Sequence, residues 1–320
     1  MDAEESGSSR SRSVGQASAA VAAVLFGTAY VATSVAIRSL TPLGAAMWRG
    51  LLSTAVLAAA LAAARHPGPV YLAPGRIWRL IILGLSGGLG FVVAMNVAVS
   101  MTGATIAAFA ASMSPVVAAV LAPVVLGEAL TIPALGGFAA AAVGTALLSG
   151  TGTSAVDGLG VLAGVLAALC FAVFLLLSRR WSQAYRLTGG AIALSVAATT
   201  GLGLLPIELL YEPAQLVPQQ IRPDAAFALI WLALVPGVAA QLFVIASVRR
   251  VKTQSSAALL LISPITASVL AAALLGETLD EPQLLGAALI LGGVVVAAGL
   301  EVDSRLRAMP GRLTRRVRGG

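Results

Sequence analysis

The sequence predicts an all-α integral membrane protein of ten transmembrane helices, built as two inverted five-helix repeats. Three observations carry that prediction. The first is composition: of 320 residues, 58% are hydrophobic and 10% charged, with a mean hydropathy of +0.96. That is more apolar surface than a soluble core of this length can hide. The second is a repeat at a constant offset of 149 residues: Ser114-Pro115 returns as Ser263-Pro264, Gly127-Glu128 as Gly276-Glu277, Pro133 as Pro282, Gly137 as Gly286 and Gly144 as Gly293. Apolar composition alone would repeat Ala and Leu, not this punctuation. The third is the placement of basic residues in alternate loops.

Taken in order, residues 1–16 (MDAEESGSSRSRSVGQ) are polar and Ser-rich, too poor in apolar side chains to order themselves, and are expected to form a disordered cytoplasmic tail. Apolar spans follow at 17–37, 43–64, 78–100, 104–126 and 132–149, then at 158–178, 189–209, 225–248, 254–276 and 282–300. Each is close to the ~20 residues that cross about 30 Å of hydrocarbon. The first is longer than a signal-peptide core and lacks a small-x-small cleavage site, so it is read as a retained helix. Alternating ten-residue segments are missing, which argues against a barrel. The repeats therefore occupy 17–150 and 151–300, and 301–320 form a basic cytoplasmic tail that can rest on anionic lipid headgroups, although topology alone accounts for it.

With a cytoplasmic N-terminus, 17 of the 20 basic residues fall inside: Arg10 and Arg12; Arg65, Arg76 and Arg79; Arg179, Arg180 and Arg186; Arg249, Arg250 and Lys252; and six arginines of the tail. The outer loops hold acids instead, Asp157, Glu212, Asp224, Asp280 and Glu281. The positive-inside rule then places both termini in the cytoplasm. Five helices per repeat is an odd number, so the halves cross in opposite senses, the architecture that alternating-access carriers use. A single Lys among the basic residues and abundant Ala fit GC-rich coding, hence a bacterial inner membrane.

Several function classes are disfavoured. One Cys and one His exclude a disulfide framework and a Cys/His metal cluster within one chain. His66 lies in a loop and Cys170 on an apolar face, so no acid, base or ligand cluster supports an enzyme or a cofactor. No Gly-x-x-x-x-Gly-Lys loop marks ATP as the direct energy source. The net charge of +7 follows from topology and needs no nucleic acid partner. The expected partners are a small-molecule solute and membrane lipid; the oligomeric state is left open.

A Ser-Pro in the fourth helix of each half, followed by Gly-Glu and a Gly-bearing fifth helix, resembles the drug/metabolite transporter superfamily, specifically its EamA-type permeases. Leu25-Phe26-Gly27-Thr28 is similar to a first-helix motif in which the family more often has Trp-Gly, and Pro42 followed by Arg49 is similar to its second-helix arginine motif. The seventh helix fits poorly. The likeness covers roughly 17–300 and implies a ten-helix carrier with a central cavity, often exporting amino acids or other small metabolites. The alternatives are a multidrug efflux carrier for hydrophobic compounds and a membrane scaffold or sensor that does not transport.

The candidate cavity residues are Thr28, Tyr30 and Ser34, a polar face on the first helix; Phe171 and Phe174, an aromatic face on the sixth; Asn96 and Gln241 in corresponding helices; and Ser114, Pro115, Ser263 and Pro264. The prolines near mid-helix would free the carbonyls of Ala111 and Leu260 toward a cavity, or simply bend packed helices. The serines either line that cavity or bond their own helix. The amides are interhelical glue or substrate contacts, and the aromatics packing or a sandwich for an amphipathic solute. Arg49 is read as structural, snorkelling outward beside Trp48 or anchoring carbonyls, against a role in attracting a carboxylate or phosphate. Glu128 and Glu277 are read as fixing loop geometry, with gating the second reading. Gly84, Gly87, Gly88 and Gly90, with the pairs Gly137/Gly144 and Gly286/Gly293, are expected to let helices approach closely. No Asp or Glu falls at mid-membrane, which disfavours cation/proton antiport and favours a neutral or zwitterionic solute.

Overall fold

Twelve helices carry the described part of the chain, which in this computed structural model comprises residues 2–64, 74–127, 132–148, 157–216, 220–250 and 259–307. They are α1 Asp2–Ala36, α2 Pro42–Ala63, α3 Pro74–Gly84, α4 Phe91–Ala111, α5 Ser114–Leu126, α6 Ile132–Leu148, α7 Gly158–Ala184, α8 Gly189–Tyr211, α9 Pro223–Leu234, α10 Gln241–Arg250, α11 Ile262–Leu275 and α12 Glu281–Arg307. Among the described residues no strand occurs. Six helical stretches are long and apolar enough to cross a membrane, and Ser114–Leu126, Leu135–Leu148, Ile262–Leu275 and Glu281–Val296 are shorter apolar helices. Large apolar side chains face outward, among them Leu159, Leu162, Leu166 and Leu169 along α7, as lipid contact requires and water would penalise.

Local chemistry sets the starts. Thr41 caps α2, its hydroxyl accepting the Gly44 N–H at 3.0 Å, with Pro42 following in the first turn. Asp157 and Thr188 cap α7 and α8 in the same manner. Gly127 and Gly276 end α5 and α11 at φ 70° and 71°, the left-handed conformation that a β-carbon opposes. The repeat is thus visible in backbone angles as well as letters.

Three features depart from the sequence reading. Helix α1 begins at Asp2, so residues 2–16, expected as a disordered tail, extend the first span; adding a residue to a formed helix costs far less than nucleating one. The same holds for α12 beyond residue 300, which ends at Arg307. Second, Pro115 and Pro264 do not kink helices from within. Helix α4 stops at Ala111, Ser112-Met113 turn, and α5 restarts with Pro115 as its second residue, where a missing N–H costs nothing. Pro264 occupies the first turn of α11 in the same way. Third, α3 passes into α4 through a π-helical turn at Leu85–Gly90, and α9 into α10 through another at Val235–Ala240.

The halves meet along glycine seams. A β-carbon on Gly144 would stand 2.5 Å from the Gly286 carbonyl oxygen, and one on Gly293 2.6 Å from that of Gly137. Helices α6 and α12 therefore run antiparallel in backbone contact. Helices α2 and α8 do likewise, for a β-carbon on Gly50 would approach Gly201 N at 2.3 Å, and one on Gly190 the Leu61 side chain at 2.7 Å. At one end of the bundle the Arg79 guanidinium lies over the Tyr185 ring, 3.5 Å from its centroid, tying α3 to the end of α7 by a cation–π contact.

Candidate functional site

Where the helices break, two neighbouring cavities open between them. The larger is a narrow cavity of about 40 Å³, walled by Phe26 and Tyr30 of α1, Phe91 of α4 and Phe171 of α7. The helix breaks supply the rest, Ser114-Pro115 with Ala108, Ala111 and Ser112 from one half and Ser263-Pro264 with Leu260 from the other. The Phe171 ring lies 4.9 Å from Phe91, 5.9 Å from Phe26 in an edge-on arrangement and 5.8 Å from Phe174, spacings at which aromatic pairs attract beyond simple area burial.

The smaller cavity, of about 20 Å³, shares Phe26 and Phe91 with the larger. Arg49 and Ser53 of α2, Thr200 of α8 and Gln241 of α10 supply its polar lining. Both π-helical turns reach it, through Gly87 from one half and Pro236-Gly237 from the other. A π turn re-aims side chains and leaves backbone groups off the regular ladder, which is why such turns gather at functional sites. Ser53 donates its hydroxyl to the Ala233 carbonyl at 3.0 Å and Thr200 to that of Val196 at 2.8 Å. Arg49 is 6% exposed and Gln241 4%, and among the described residues neither Arg49 Nη1 nor Gln241 Nε2 has a hydrogen-bond partner.

Known sequences place this geometry. The EamA-like transporter family matches residues 13–150 and again 158–299. The chain belongs to the EamA-like transporter family. Among curated proteins it is similar to Protein PecM of Dickeya dadantii (strain 3937), 25% identical over 283 residues that cover 88% of this chain and 91% of PecM. Among solved structures, a protein crystal structure superposes with a TM-score of 0.67 at 21% identity, covering 93% of this chain and all of the other; at that identity it speaks for the fold alone. The EamA-like chain is thus a multi-pass membrane transporter, and the family is not one of enzymes.

Within this EamA-like transporter the sequence candidates divide. Tyr30, Ser114, Pro115, Phe171, Ser263 and Pro264 come together around the larger cavity, and Gln241 lines the smaller. Thr28 does not: its hydroxyl donates to Leu25 O at 2.7 Å and accepts the Trp231 Nε1–H at 2.9 Å, joining α1 to α9. Ser34 borders neither cavity. Asn96 reaches α2, its amide donating to the Pro42 carbonyl at 2.9 Å, and Phe174 packs beneath Gly87, whose β-carbon would meet the ring at 2.3 Å. Arg49 does not snorkel. Trp48 goes its own way, donating its indole N–H to Gln215 O at 2.8 Å, while the neighbouring guanidinium turns into the bundle. Glu277, read as fixing loop geometry, reaches the opposite half, where it accepts the N–H groups of Ala104 and Thr105. Glu128 lies outside the described residues.

Sequence reasoning missed Phe26, Phe91, Ser53 and Thr200. For the phenylalanines no contrast exists, because apolar side chains inside apolar spans carry no directional signal. It also passed over Glu208, an acid within α8 that is 1% exposed with both carboxylate oxygens unpartnered. The letters GLGLLPIELLY do contain that signal.

Proposed function

We propose that this protein carries a small metabolite, an amino acid or similar solute of neutral or zwitterionic character, outward across a bacterial inner membrane by alternating access. The observation that carries the reading is the larger cavity, to which both halves contribute corresponding pieces, Ser114-Pro115 and Ser263-Pro264, opposite an aromatic wall of Phe26, Phe91 and Phe171. A solute held there sits between two structural repeats, the place where rocking one half against the other exposes it to alternate sides. Two inverted five-helix halves, 17–150 and 151–300, are the topology proposed. The antiparallel contact of the corresponding helices α6 and α12 and of α2 and α8 supports it, since helices related by an in-plane two-fold axis run oppositely. Both termini are proposed to be cytoplasmic, as the basic loops require.

The test is counterflow in liposomes holding the purified protein, with a panel of amino acids, sugars and hydrophobic cations. Saturable exchange of one class, lost in Phe171→Ala and retained in a variant of the exposed Leu162, supports the carrier. Absence of flux for every class in well-folded protein would overturn it. A second reading, efflux of hydrophobic cations, finds support in the aromatic wall, but the buried cationic Arg49 beside it opposes a cationic solute.

A further inference from the structure

We infer that the smaller cavity is a carboxylate subsite, in which Arg49 and Gln241 hold the carboxylate of a solute whose apolar body lies against the aromatic wall of the larger cavity. The inference rests on the transport reading and narrows its substrate class.

The bundle holds an unbalanced charge. Arg49 is a guanidinium buried in the bundle, and among the described residues no carboxylate forms an ion pair with it. A buried cation without a counter-charge is costly unless something of opposite sign visits it. Its Nη1 has no partner, and the second orphaned donor on the same cavity, Gln241 Nε2, comes from the other half of the chain. Two polar side chains, each more than nine-tenths buried, thus present N–H groups to a shared space from α2 and α10. Unmade buried hydrogen bonds of this kind are expensive to leave idle. A guanidinium and an amide are both planar donors, matched to the planar two-oxygen face of a carboxylate. A dianionic phosphate would carry more charge and more acceptors than these groups answer.

The remaining lining agrees. The hydroxyls of Ser53 and Thr200 already spend their protons on Ala233 and Val196 carbonyls, so the donors left to a solute here belong to Arg49 and Gln241. The π-helical turns of both halves border this cavity, and these are the backbone segments through which rocking of the repeats would alter its width. Phe26 and Phe91 border both cavities, so a solute anchored at Arg49 lays its body against Phe171. Among the described residues no Asp or Glu lines either cavity, which leaves a cationic solute without a counter-charge.

The experiment measures binding to full-length protein in detergent, by calorimetry, for 3-phenylpropionate, its uncharged amide, phenylalanine and phenethylamine. The two carboxylates are expected to bind, and the amide and amine to bind roughly thirtyfold or more weakly, the scale of removing one partner of a buried charged hydrogen bond. Arg49→Gln should abolish the difference between acid and amide. Gln241→Glu, close in shape but repelling a carboxylate, should remove acid binding and spare that of the amide, so the result does not depend on one variant folding. Equal binding of acid and amide, tighter binding of the amine, no binding of either acid, or an acid preference that survives Arg49→Gln would each overturn the subsite. Counterflow of a neutral solute alongside any of those results would leave the carrier standing and remove only the carboxylate assignment.

Discussion

The Glu277 carboxylate accepts the backbone N–H of Ala104 at 2.9 Å through one oxygen and, through the other, that of Thr105 at 2.8 Å. An acid just beyond α11 therefore caps a helix of the opposite half. It does so because α4 breaks at Gly103, whose φ of 81° and ψ of 174° leave the N–H groups after it without partners along the helix. A negative side chain at such a new N-terminus meets both unmade hydrogen bonds and the positive end of the helix dipole.

Glu277→Ala is accordingly expected to destabilise the folded protein by about 1–2 kcal/mol, the upper range for loss of an N-terminal cap. Glu277→Gln, which keeps one acceptor without charge, should fall between. Thermal unfolding in detergent reads both. An unchanged midpoint for Glu277→Ala would show that water or lipid headgroups serve those N–H groups equally well.

Gly103→Ala should couple to the same cap. Its backbone conformation is nearly reserved for glycine and costs roughly 1–3 kcal/mol for other residues. In addition, the new β-carbon would stand 2.8 Å from Glu277 Oε1. In a Glu277→Ala background the second cost disappears and the first remains. The double variant should therefore be more stable than the sum of the singles implies, by about 0.5 kcal/mol or more, as expected for residues in contact. Strict additivity would mean that the carboxylate does not sit against Gly103.

The α6–α12 seam separates two kinds of glycine. At Gly144 and Gly286 a β-carbon would meet the partner's carbonyl oxygen at 2.5 Å, and backbone cannot yield as a flexible side chain would. Gly144→Ala or Gly286→Ala should push the helices apart and reduce the yield of folded protein, an overpacking cost of about 1–3 kcal/mol. Gly136 and Gly292, on the same helices, have nothing within 4 Å. Gly136→Ala and Gly292→Ala should be tolerated or gain about 0.5–1 kcal/mol from helix propensity. Size-exclusion profiles and unfolding midpoints of the four variants check the contrast, and equal behaviour would place the seam elsewhere.

What the letters revealed, and what they hid, follows from the same physics. Glycine, proline and the Gly-Glu corner stand out against Ala and Leu, so the close-packing glycines were legible as punctuation, whereas the prolines read as mid-helix bends although they sit in the first turns of restarted helices. Facing was not legible. Helices that are apolar all round lack the amphipathic stripe that orients a soluble helix, so Arg49 read as snorkelling outward or anchoring carbonyls, although it is buried on the smaller cavity, and Thr28 read as a cavity residue, although it lines neither. The π turns left one readable trace: Gly88 and Gly237 stand 149 residues apart, on the repeat's own offset, within Leu85–Gly90 and Val235–Ala240. The capping partners of Glu277 needed the third dimension, since 173 residues separate it from Ala104.

Glu208 gives the last prediction. Its carboxylate is buried near the end of α8, and neither oxygen has a hydrogen-bond partner among the described residues. Removing one member of a buried ion pair ordinarily costs about 3–5 kcal/mol, because the other charge is left stranded. Here, among the described residues, no pair exists to break. Glu208→Gln keeps the shape and removes the capacity to hold an unpaired charge away from water, so its unfolding midpoint should equal or exceed that of the parent protein. Glu208→Leu, which also removes the orphaned acceptors, should do at least as well. A midpoint lower by several degrees in Glu208→Gln would show that the carboxylate is engaged by a bound ion, water or lipid, and would make it, rather than Arg49, the first charged group to pursue in the coupling of transport.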